Sequence, residues 1–541
     1  MSKPFRVIIA DDMSARAAEV LAESKAVAVD VRAGISAEEL ASVIGDYQAI
    51  IVRSRTKVTQ ELIEAARQLK LIGRAGIGVD NIDVAAASRR GIVVENAPSG
   101  NSVTTAEHAL CLLASLARHI PQADASMKAG KWEKKKFQGT ELMGKNLGVL
   151  GLGNIGRILA HRAQGLMMKV IAYDPFIGQE AAERLGVELV TLDELFSRAD
   201  VISCHTPLTS ETKGLIGDEA FAKMKPGVFI VNASRGGVID ERALLRALDG
   251  GKVAGAALDV FEQEPPPEGY ELVSHPKVVC TPHLGASTEE AQEKVAVEIA
   301  EQVVAYAERG EIRNALNVQS VSGEVKTKLS PWFELATHLG SLVGQLSAGD
   351  FQGDGFIDEL SVQVTGEAAE KGATACTSAA LVGLLENFMD GPINEINAPF
   401  AAKERGLKVD EVKSQSSERD LASAIALTAR SGNTKRYVKG TLYHIGGRIE
   451  PRIVQIDDFL VEAPPSGHIL AVLNQDRPGV IGAVGQLLGQ RGINVNSLHV
   501  GLDERSGVAL ALWNLDAQLG PDMIKAVRDL GQVEKAQLID L

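Results

Sequence analysis

The sequence predicts an α/β protein of two parallel-sheet lobes, the first discontinuous in the chain, followed by an α+β domain and a small ferredoxin-like domain. Three observations predict it. Short apolar runs alternate with helical patterns over residues 5–95 and again over 147–282, the pattern of parallel sheets flanked by helices. Two long helical patterns, 104–119 and 288–309, flank the second stretch and would return the chain to the first unit, making a two-lobed body with a cleft. Beyond Asn317 the texture changes, and residues 468–541 read β-α-β-β-α-β.

In the first unit the strands are Val7-Ile8-Ile9, Ala49-Ile50-Ile51-Val52, Leu71-Ile72 and Ile92-Val93-Val94. Two of them run into distinctive loops, Arg53-Ser54-Arg55-Thr56-Lys57 and Arg74-Ala75-Gly76-Ile77-Gly78-Val79-Asp80-Asn81. Ligands of open α/β sheets sit beyond the carboxyl ends of strands. Arg53 and Arg74, with Ser54 between them, are therefore expected to meet a phosphate, and the N–H groups of Gly76 and Gly78 to cradle a carboxylate. A further basic run, Lys131-Trp132-Glu133-Lys134-Lys135-Lys136, reads equally as a solvated face or as the rim of a site.

The second unit opens on Gly151-Leu152-Gly153-Asn154-Ile155-Gly156, between the apolar run Leu147-Gly148-Val149-Leu150 and a helical pattern. Three glycines at this spacing allow a tight turn, close approach to a pyrophosphate and close helix–strand packing, with the helix N-terminus offering N–H donors to the phosphates. The next strand, Lys169-Val170-Ile171-Ala172-Tyr173, ends on Asp174. An acid there accepts both ribose hydroxyls and repels a 2′-phosphate, so the lobe is read as a Rossmann-like domain for NAD rather than NADP. The strands Val201-Ile202-Ser203, Val228-Phe229-Ile230-Val231 and Val278-Val279-Cys280 continue the alternation.

Bulk properties narrow the function. A chain of 541 residues suggests about three or four domains. A formal charge of −14 argues against nucleic acid as the main partner. The first apolar run stops at Asp11-Asp12, too early for a signal peptide, and no run approaches the ~18 apolar residues of a membrane span, so no membrane partner and a cytoplasmic location are expected. Cys111, Cys204, Cys280 and Cys376 show no metal spacing and read as reduced, buried thiols; no metal is implied.

Three later segments carry a resemblance. They are Asn232-Ala233-Ser234-Arg235-Gly236-Gly237, Leu258-Asp259-Val260-Phe261-Glu262-Gln263-Glu264-Pro265 and Thr281-Pro282-His283-Leu284-Gly285-Ala286. With the fingerprint they resemble the D-isomer-specific 2-hydroxyacid dehydrogenases, and the C-terminal extension resembles the family's long form, with an intervening and an ACT domain. The resemblance implies NAD-dependent oxidation of D-3-phosphoglycerate to 3-phosphohydroxypyruvate, the first step of phosphorylated L-serine biosynthesis. It implies catalytic roles for Arg235, Glu264 and His283. A histidine suits the hydroxyl proton because its unperturbed pKa is ~6.5. A carboxylate on its far nitrogen would fix the tautomer, and an arginine fork would hold the carboxylate beside the reacting carbon. Cofactor contacts carry over to Gly151, Gly153, Asn154, Ile155, Gly156, Asp174, Thr206, Pro207, Ala233, Asp259, Gly285 and Ala286; where this chain has Ile77 the family often has threonine. Two rival readings share the scaffold: a different 2-hydroxy acid reductase, and a non-catalytic NAD sensor or corepressor. The basic 53–57 loop and the ACT-like tail weigh against the first, the intact catalytic trio against the second.

The resemblance also divides the chain: 1–100 with 286–316 as substrate lobe, 101–285 as NAD-binding domain, 317–461 as intervening domain and 467–541 as ACT domain. ACT modules of related dehydrogenases pair across subunits and bind L-serine, and their ligand positions map to Asp476 and Asn494, with Asn474 standing where histidine or tyrosine is frequent. A homotetramer or homodimer is implied. Asp476 is also a candidate N-cap of the helix that follows Pro478-Gly479. In the intervening segment Lys439, His444, Arg448 and Arg452 read as a basic surface.

Overall fold

The structure, a computed structural model, describes residues 3–318, 323–348, 357–389, 392–414, 421–432, 434–503 and 505–541. The first sheet is parallel: β1 (Phe5–Ile9), β2 (Val27–Val31), β3 (Ala49–Val52), β4 (Leu71–Arg74) and β5 (Val93–Asn96), in the order β2-β1-β3-β4-β5. The order reverses between β1 and β3, so the loops after these strands open on one crevice. Strand β3 is buried end to end, and β1 and β4 over three residues each, where they read as apolar runs, whereas β2 is a half-exposed edge strand.

The second sheet is also parallel: β6 (Asn146–Leu150), β7 (Lys169–Tyr173), β8 (Glu188–Leu189), β9 (Val201–Cys204), β10 (Val228–Asn232), β11 (Val253–Leu258) and β12 (Val278–Cys280), ordered β12-β11-β10-β9-β6-β7-β8. Its order reverses between β6 and β9. Strand β11 has little apolar signature because it is built from small residues: a Cβ on Gly255 would lie 2.9 Å from Leu116 of the helix packed over it. That helix, Ser102–Ala117, is shorter than the 104–119 pattern predicts at its C-terminal end. The ring of Pro121 is incompatible with a helical hydrogen bond to Ala117, so His119 turns left-handed at φ 53° and a second helix, Ile120–Lys128, begins. The helix Glu289–Arg309, capped by the Thr288 side chain, returns to the first sheet and sends Val295, Ile299 and Val303 into its core. The chain then runs along β5, with Leu316 N–H donating to Val94 and Asn96 N–H to Asn314. Beneath it the Glu95 carboxylate accepts the Arg313 N–H at 2.7 Å, and burial pushes this carboxyl up to about 7.

The third sheet is mixed: β13 (Glu359–Thr365), β14 (Lys408–Ser414), β15 (Ala424–Ser431), β16 (Thr434–Ile445), β17 (Arg448–Ile456) and β18 (Phe459–Ala463), ordered β14-β13-β15-β16-β17-β18. Helices Gly323–Ala348 and Ala373–Leu385 pack with it. The fourth sheet is antiparallel: β19 (His468–Gln475), β20 (Val495–Asp503), β21 (Val508–Leu515) and β22 (Val533–Asp540), ordered β20-β21-β19-β22, with helices at Val480–Gln490 and Pro521–Arg528. This is the ferredoxin-like arrangement the sequence predicts. One core joins the last two sheets: Leu335, Leu339 and Ile453 share a cluster with Ile469, Leu510, Leu512 and Ile539. The Gln345 side-chain amide extends the junction, donating to the Asp540 carbonyl at 2.7 Å and accepting its N–H at 3.0 Å.

Candidate active site

The fingerprint loop follows β6 and enters the helix Asn154–Gly165, whose first residues include Asn154, Ile155 and Gly156. Gly151 takes φ 95°, and a Cβ on Gly156 would lie 2.1 Å from the Gly151 carbonyl oxygen, so the turn tolerates only glycine there. Around Gly153, by contrast, a Cβ would meet nothing within 4 Å, and no side chain caps the helix. Its first N–H groups are therefore presented toward open space, as a pyrophosphate requires. Across the crevice, after β9, Thr206 and Pro207 follow His205. The Thr206 hydroxyl is buried with no hydrogen-bond partner among the described residues. Burial pushes His205 down to about 4, keeping its ring neutral. Asp174 sits at the end of β7, where Oδ2 accepts the Leu152 N–H and Oδ1 the Phe176 N–H, each at 2.8 Å. The acid thus braces the glycine loop. An open helix N-terminus, a lone buried hydroxyl and this acid fit a dinucleotide.

The trio comes from loops after β10, β11 and β12. The side chain of Asn232 shapes the first loop: its Oδ1 accepts the Ser234 N–H at 3.0 Å, its Nδ2 donates to the Arg235 carbonyl at 2.9 Å, and Ala233 is buried between them. Arg235 then reaches across to the first lobe, where Nε donates to Asp80 Oδ2 at 2.9 Å. Its Nη2 lies over Gly78, 1.6 Å from where a Cβ would stand, so only glycine permits this approach. His283, at φ 54°, places Nδ1 2.7 Å from Glu264 Oε2, and Glu264 Oε1 accepts the Phe261 N–H at 3.1 Å. The hydrogen bond that His283 donates to Glu264, outweighing burial, raises His283 above the ordinary histidine value. Burial raises Glu264, but the His283 bond and the nearby positive charges outweigh it and leave this carboxyl low. Arg235 is near enough for its charge to act on both.

Asp259 is fully buried, and its carboxylate accepts from His108 Nε2 at 3.1 Å and from the Leu284 and Gly285 N–H groups at 2.8 Å. It therefore holds the His283 loop, together with Gly285 and Ala286, against the helix Ser102–Ala117. Neither His108 nor Asp80 stands out in the sequence. Each meets its partner only across the fold, although a histidine facing inward from a long helix and the acid in the 74–81 loop were the available signals.

On the substrate side, Arg53 donates to the Asp12 carbonyl at 3.0 Å, and Arg74 donates to Ser54 Oγ at 3.1 Å and to the Ala75 carbonyl at 2.9 Å. Burial, then the charges of Arg235 and Arg53, push Arg74 down to about 10, so three guanidinium groups crowd one end of the cleft. Asp11 braces the basic loop by accepting the N–H groups of Arg53 and Thr56. The Gly76 N–H, expected to cradle a carboxylate, instead donates to the Arg74 carbonyl at 2.9 Å, closing a three-residue turn over Ala75.

Elsewhere the structure corrects some expectations and places the other residues singled out. Asp476 does not cap the following helix; Gly479, at φ 98°, holds the N-cap position. Asp476 and Asn494 are both exposed but lie at opposite ends of the last sheet. Asp476 N–H bonds to Gly507 beside the β20–β21 turn, and Asn494 N–H to Asp516 beyond the far end of β21. At ~3.3 Å per residue the separation is roughly 25–30 Å, so one chain does not bring them together. Register pairs Arg448 with Ile445 and Arg452 with Thr441 but His444 with Ile449, which puts His444 on the other face of the hairpin. Lys134–Lys136 form an exposed 3₁₀ turn, and Trp132 is 81% exposed. Cys111 is exposed on its helix rather than buried.

Comparison with known proteins agrees with this geometry. The family described as D-isomer specific 2-hydroxyacid dehydrogenase, NAD binding domain, matches residues 110–285. The D-3-phosphoglycerate dehydrogenase intervening domain matches 328–457, and the ACT domain 468–531. A D-3-phosphoglycerate dehydrogenase of Synechocystis sp. is 44% identical over 99% of this chain and 95% of its own. The chain belongs to the D-3-phosphoglycerate dehydrogenase family. The Bacillus subtilis relative of that name is 40% identical over 99% of this chain and all of its own. Among solved structures, a glyoxylate reductase from Paecilomyes thermophila aligns with a TM-score of 0.54 at 32% identity, covering 58% of this chain and 99% of its own. The D-lactate dehydrogenase of Escherichia coli aligns at 0.51 with 30% identity, covering 57% and 99%. The cofactor of the family is NAD. No helix among the described residues is long and apolar enough to cross a membrane.

Proposed function

We propose that the chain oxidises D-3-phosphoglycerate to 3-phosphohydroxypyruvate with NAD, opening the phosphorylated route to L-serine. Full-length identity to D-3-phosphoglycerate dehydrogenases supports the activity, and the Glu264–His283 contact of 2.7 Å carries the mechanism. When bound, NAD accepts the hydride from C2. The chain's own residues do the rest. Glu264 holds Nδ1, which leaves Nε2 of His283 to take the hydroxyl proton and stabilises the imidazolium that forms. Arg235 orients the substrate carboxylate and polarises the oxygen at C2, with Asp80 fixing its Nε. Arg53 and Arg74, with Ser54, receive the phosphate end, and the Gly78 N–H is the backbone donor left for the carboxylate. The helix N-terminus at Asn154–Gly156, together with Asp174, Thr206, Pro207, Ala233 and the Asp259-braced loop at Gly285-Ala286, holds the dinucleotide.

The sheets support a division into a substrate lobe (1–100 with 286–316), an NAD-binding domain (101–285), an intervening domain (317–461) and an ACT domain (467–541), although β18 runs two residues past 461. The ACT domain is the regulatory element, with L-serine as effector in a homodimer or homotetramer. Because Asp476 and Asn494 lie at opposite ends of one sheet, a serine site using both takes one residue from each of two copies. The location is the cytoplasm. Initial rates on a panel of phosphorylated and unphosphorylated 2-hydroxy acids test the activity. Selective turnover of D-3-phosphoglycerate with NAD is expected, and equal or better turnover of glycolate or D-glycerate would move the reading to a general 2-hydroxy acid reductase.

A further inference from the structure

Glu241 opens the helix Glu241–Asp249 and is only 6% exposed. Helix capping does not explain it, because the neighbouring Asp240 side chain accepts the Ala243 N–H at 2.9 Å and serves as the cap. Glu241 instead turns toward the loop after β11. Its Oε1 accepts the Glu262 N–H at 2.6 Å, and its Oε2 accepts the Tyr270 hydroxyl. These two partners bracket Glu264. The segment between them contains Pro265-Pro266-Pro267, three residues without an N–H, so this stretch has few donors with which to hold itself. A buried carboxylate is costly unless its bonds are made, and removing its acceptors leaves the Glu262 N–H and the tyrosine hydroxyl to find others.

We infer that Glu241, through Tyr270 and the Glu262 N–H, is a positioning residue that holds the 261–270 loop so that Glu264 meets His283. The inference rests on Glu264 and His283 acting as the acid/base pair. The charged groups acting on His283 are Glu264, Asp259 and Arg235, and those acting on Glu241 are Glu262 and Glu264, with Tyr270 hydrogen-bonded to it. The hydrogen bonds of the Glu241 carboxylate go to the Glu262 N–H and the Tyr270 hydroxyl and not to His283. Its effect therefore passes through the placement of Glu264, and loss of that placement removes the main support for a protonated imidazole.

The test is the pH profile of kcat/KM for 3-phosphoglycerate oxidation in full-length Glu241→Ala, Glu241→Gln, Tyr270→Phe and Glu264→Ala. Oxidation needs neutral His283, so activity falls on the acid side of its pKa. Glu241→Ala is expected to lower the plateau by up to about 10²-fold, the scale of a misplacement near 1 Å. It should also shift the acid limb to lower pH, in the direction of Glu264→Ala. Tyr270→Phe should shift it the same way by less, and Glu241→Gln, which keeps an acceptor for the Glu262 N–H, should recover most of the plateau. NAD affinity should be unchanged throughout. An acid limb at its wild-type position in Glu241→Ala and Tyr270→Phe, while Glu264→Ala shifts it, overturns the inference. If Glu241→Ala fails to fold, Tyr270→Phe decides alone, by the same criterion. An unmoved limb in Glu264→Ala overturns the acid/base pairing itself, and the inference with it.

Discussion

Replacing Asp174 by alanine separates two roles that the structure joins in one carboxylate. Its oxygens accept the Leu152 and Phe176 N–H groups at 2.8 Å, and the ribose hydroxyls are the third partner of the proposed complex. Leu152 is fully buried, so losing its acceptor leaves a buried donor unpaired, at a cost of about 1–3 kcal/mol. That cost falls on free and bound enzyme alike, and it should appear as a lower Tm rather than as weaker binding. The ribose bond is made only in the complex. A hydrogen bond to a charged group is worth about 1.5–3 kcal/mol, so NAD should bind roughly 10–150-fold more weakly. NADP should lose less, because the charge that repels a 2′-phosphate disappears with the acceptor. Asp174→Asn divides the effects further: its amide oxygen can keep one backbone donor, so the Tm should recover in part while the preference for NAD still narrows. Titration calorimetry with both cofactors, beside thermal unfolding of the three proteins, measures each quantity separately. Wild-type NAD affinity and an unchanged NAD-to-NADP ratio in Asp174→Ala would refute the ribose role, whatever happens to Tm.

The other expectations follow from the same geometry. His283→Ala should lower turnover by ~10²–10⁴-fold with NAD binding nearly intact, as steady-state rates and cofactor titration would show. Because Glu264 raises His283, the acid limb of wild-type oxidation should lie above the ordinary histidine value, and Glu264→Gln should move it to lower pH; a limb at or below that value would count against the pairing. Arg53→Ala and Arg74→Ala should each raise KM for 3-phosphoglycerate roughly 10–150-fold, and more than for D-glycerate, since a charged hydrogen bond to the phosphate is lost; equal loss on both substrates would assign these arginines to the shared carboxylate. L-Serine should bind the full-length enzyme and lower its rate several-fold, with either Asp476→Ala or Asn494→Ala abolishing binding by calorimetry while catalysis persists. Binding that survives in a monomeric form would rule out a site shared between copies.

Much of the fold was legible in the sequence because its signals are local. Buried parallel strands announce themselves as apolar runs, the Gly151–Gly156 turn states its own backbone needs, and the ferredoxin-like order follows from alternation along residues 468–541. Arg235, Glu264 and His283 were singled out by resemblance in three short motifs rather than by periodicity; each stands in a loop after a strand of one sheet, and the strand before Glu264, β11, has little apolar signature of its own. Only the tertiary structure decided the partners of those residues. Asp80 reaches Arg235 across 155 residues of chain, and His108 reaches Asp259 across 151. Glu241 anchors the Glu264 loop from a neighbouring helix, and the Gly76 N–H turned inward where the sequence suggested a ligand. The resemblance grouped Asp476 with Asn494 as ligand positions of paired modules, strand register sets them at opposite ends of one sheet, and the two C-terminal domains share one core. Periodicity and turn chemistry act over a few residues and can be read along the chain. Strand order, register and the closing of side chains over distant loops depend on how all the elements pack together, and no short segment encodes them.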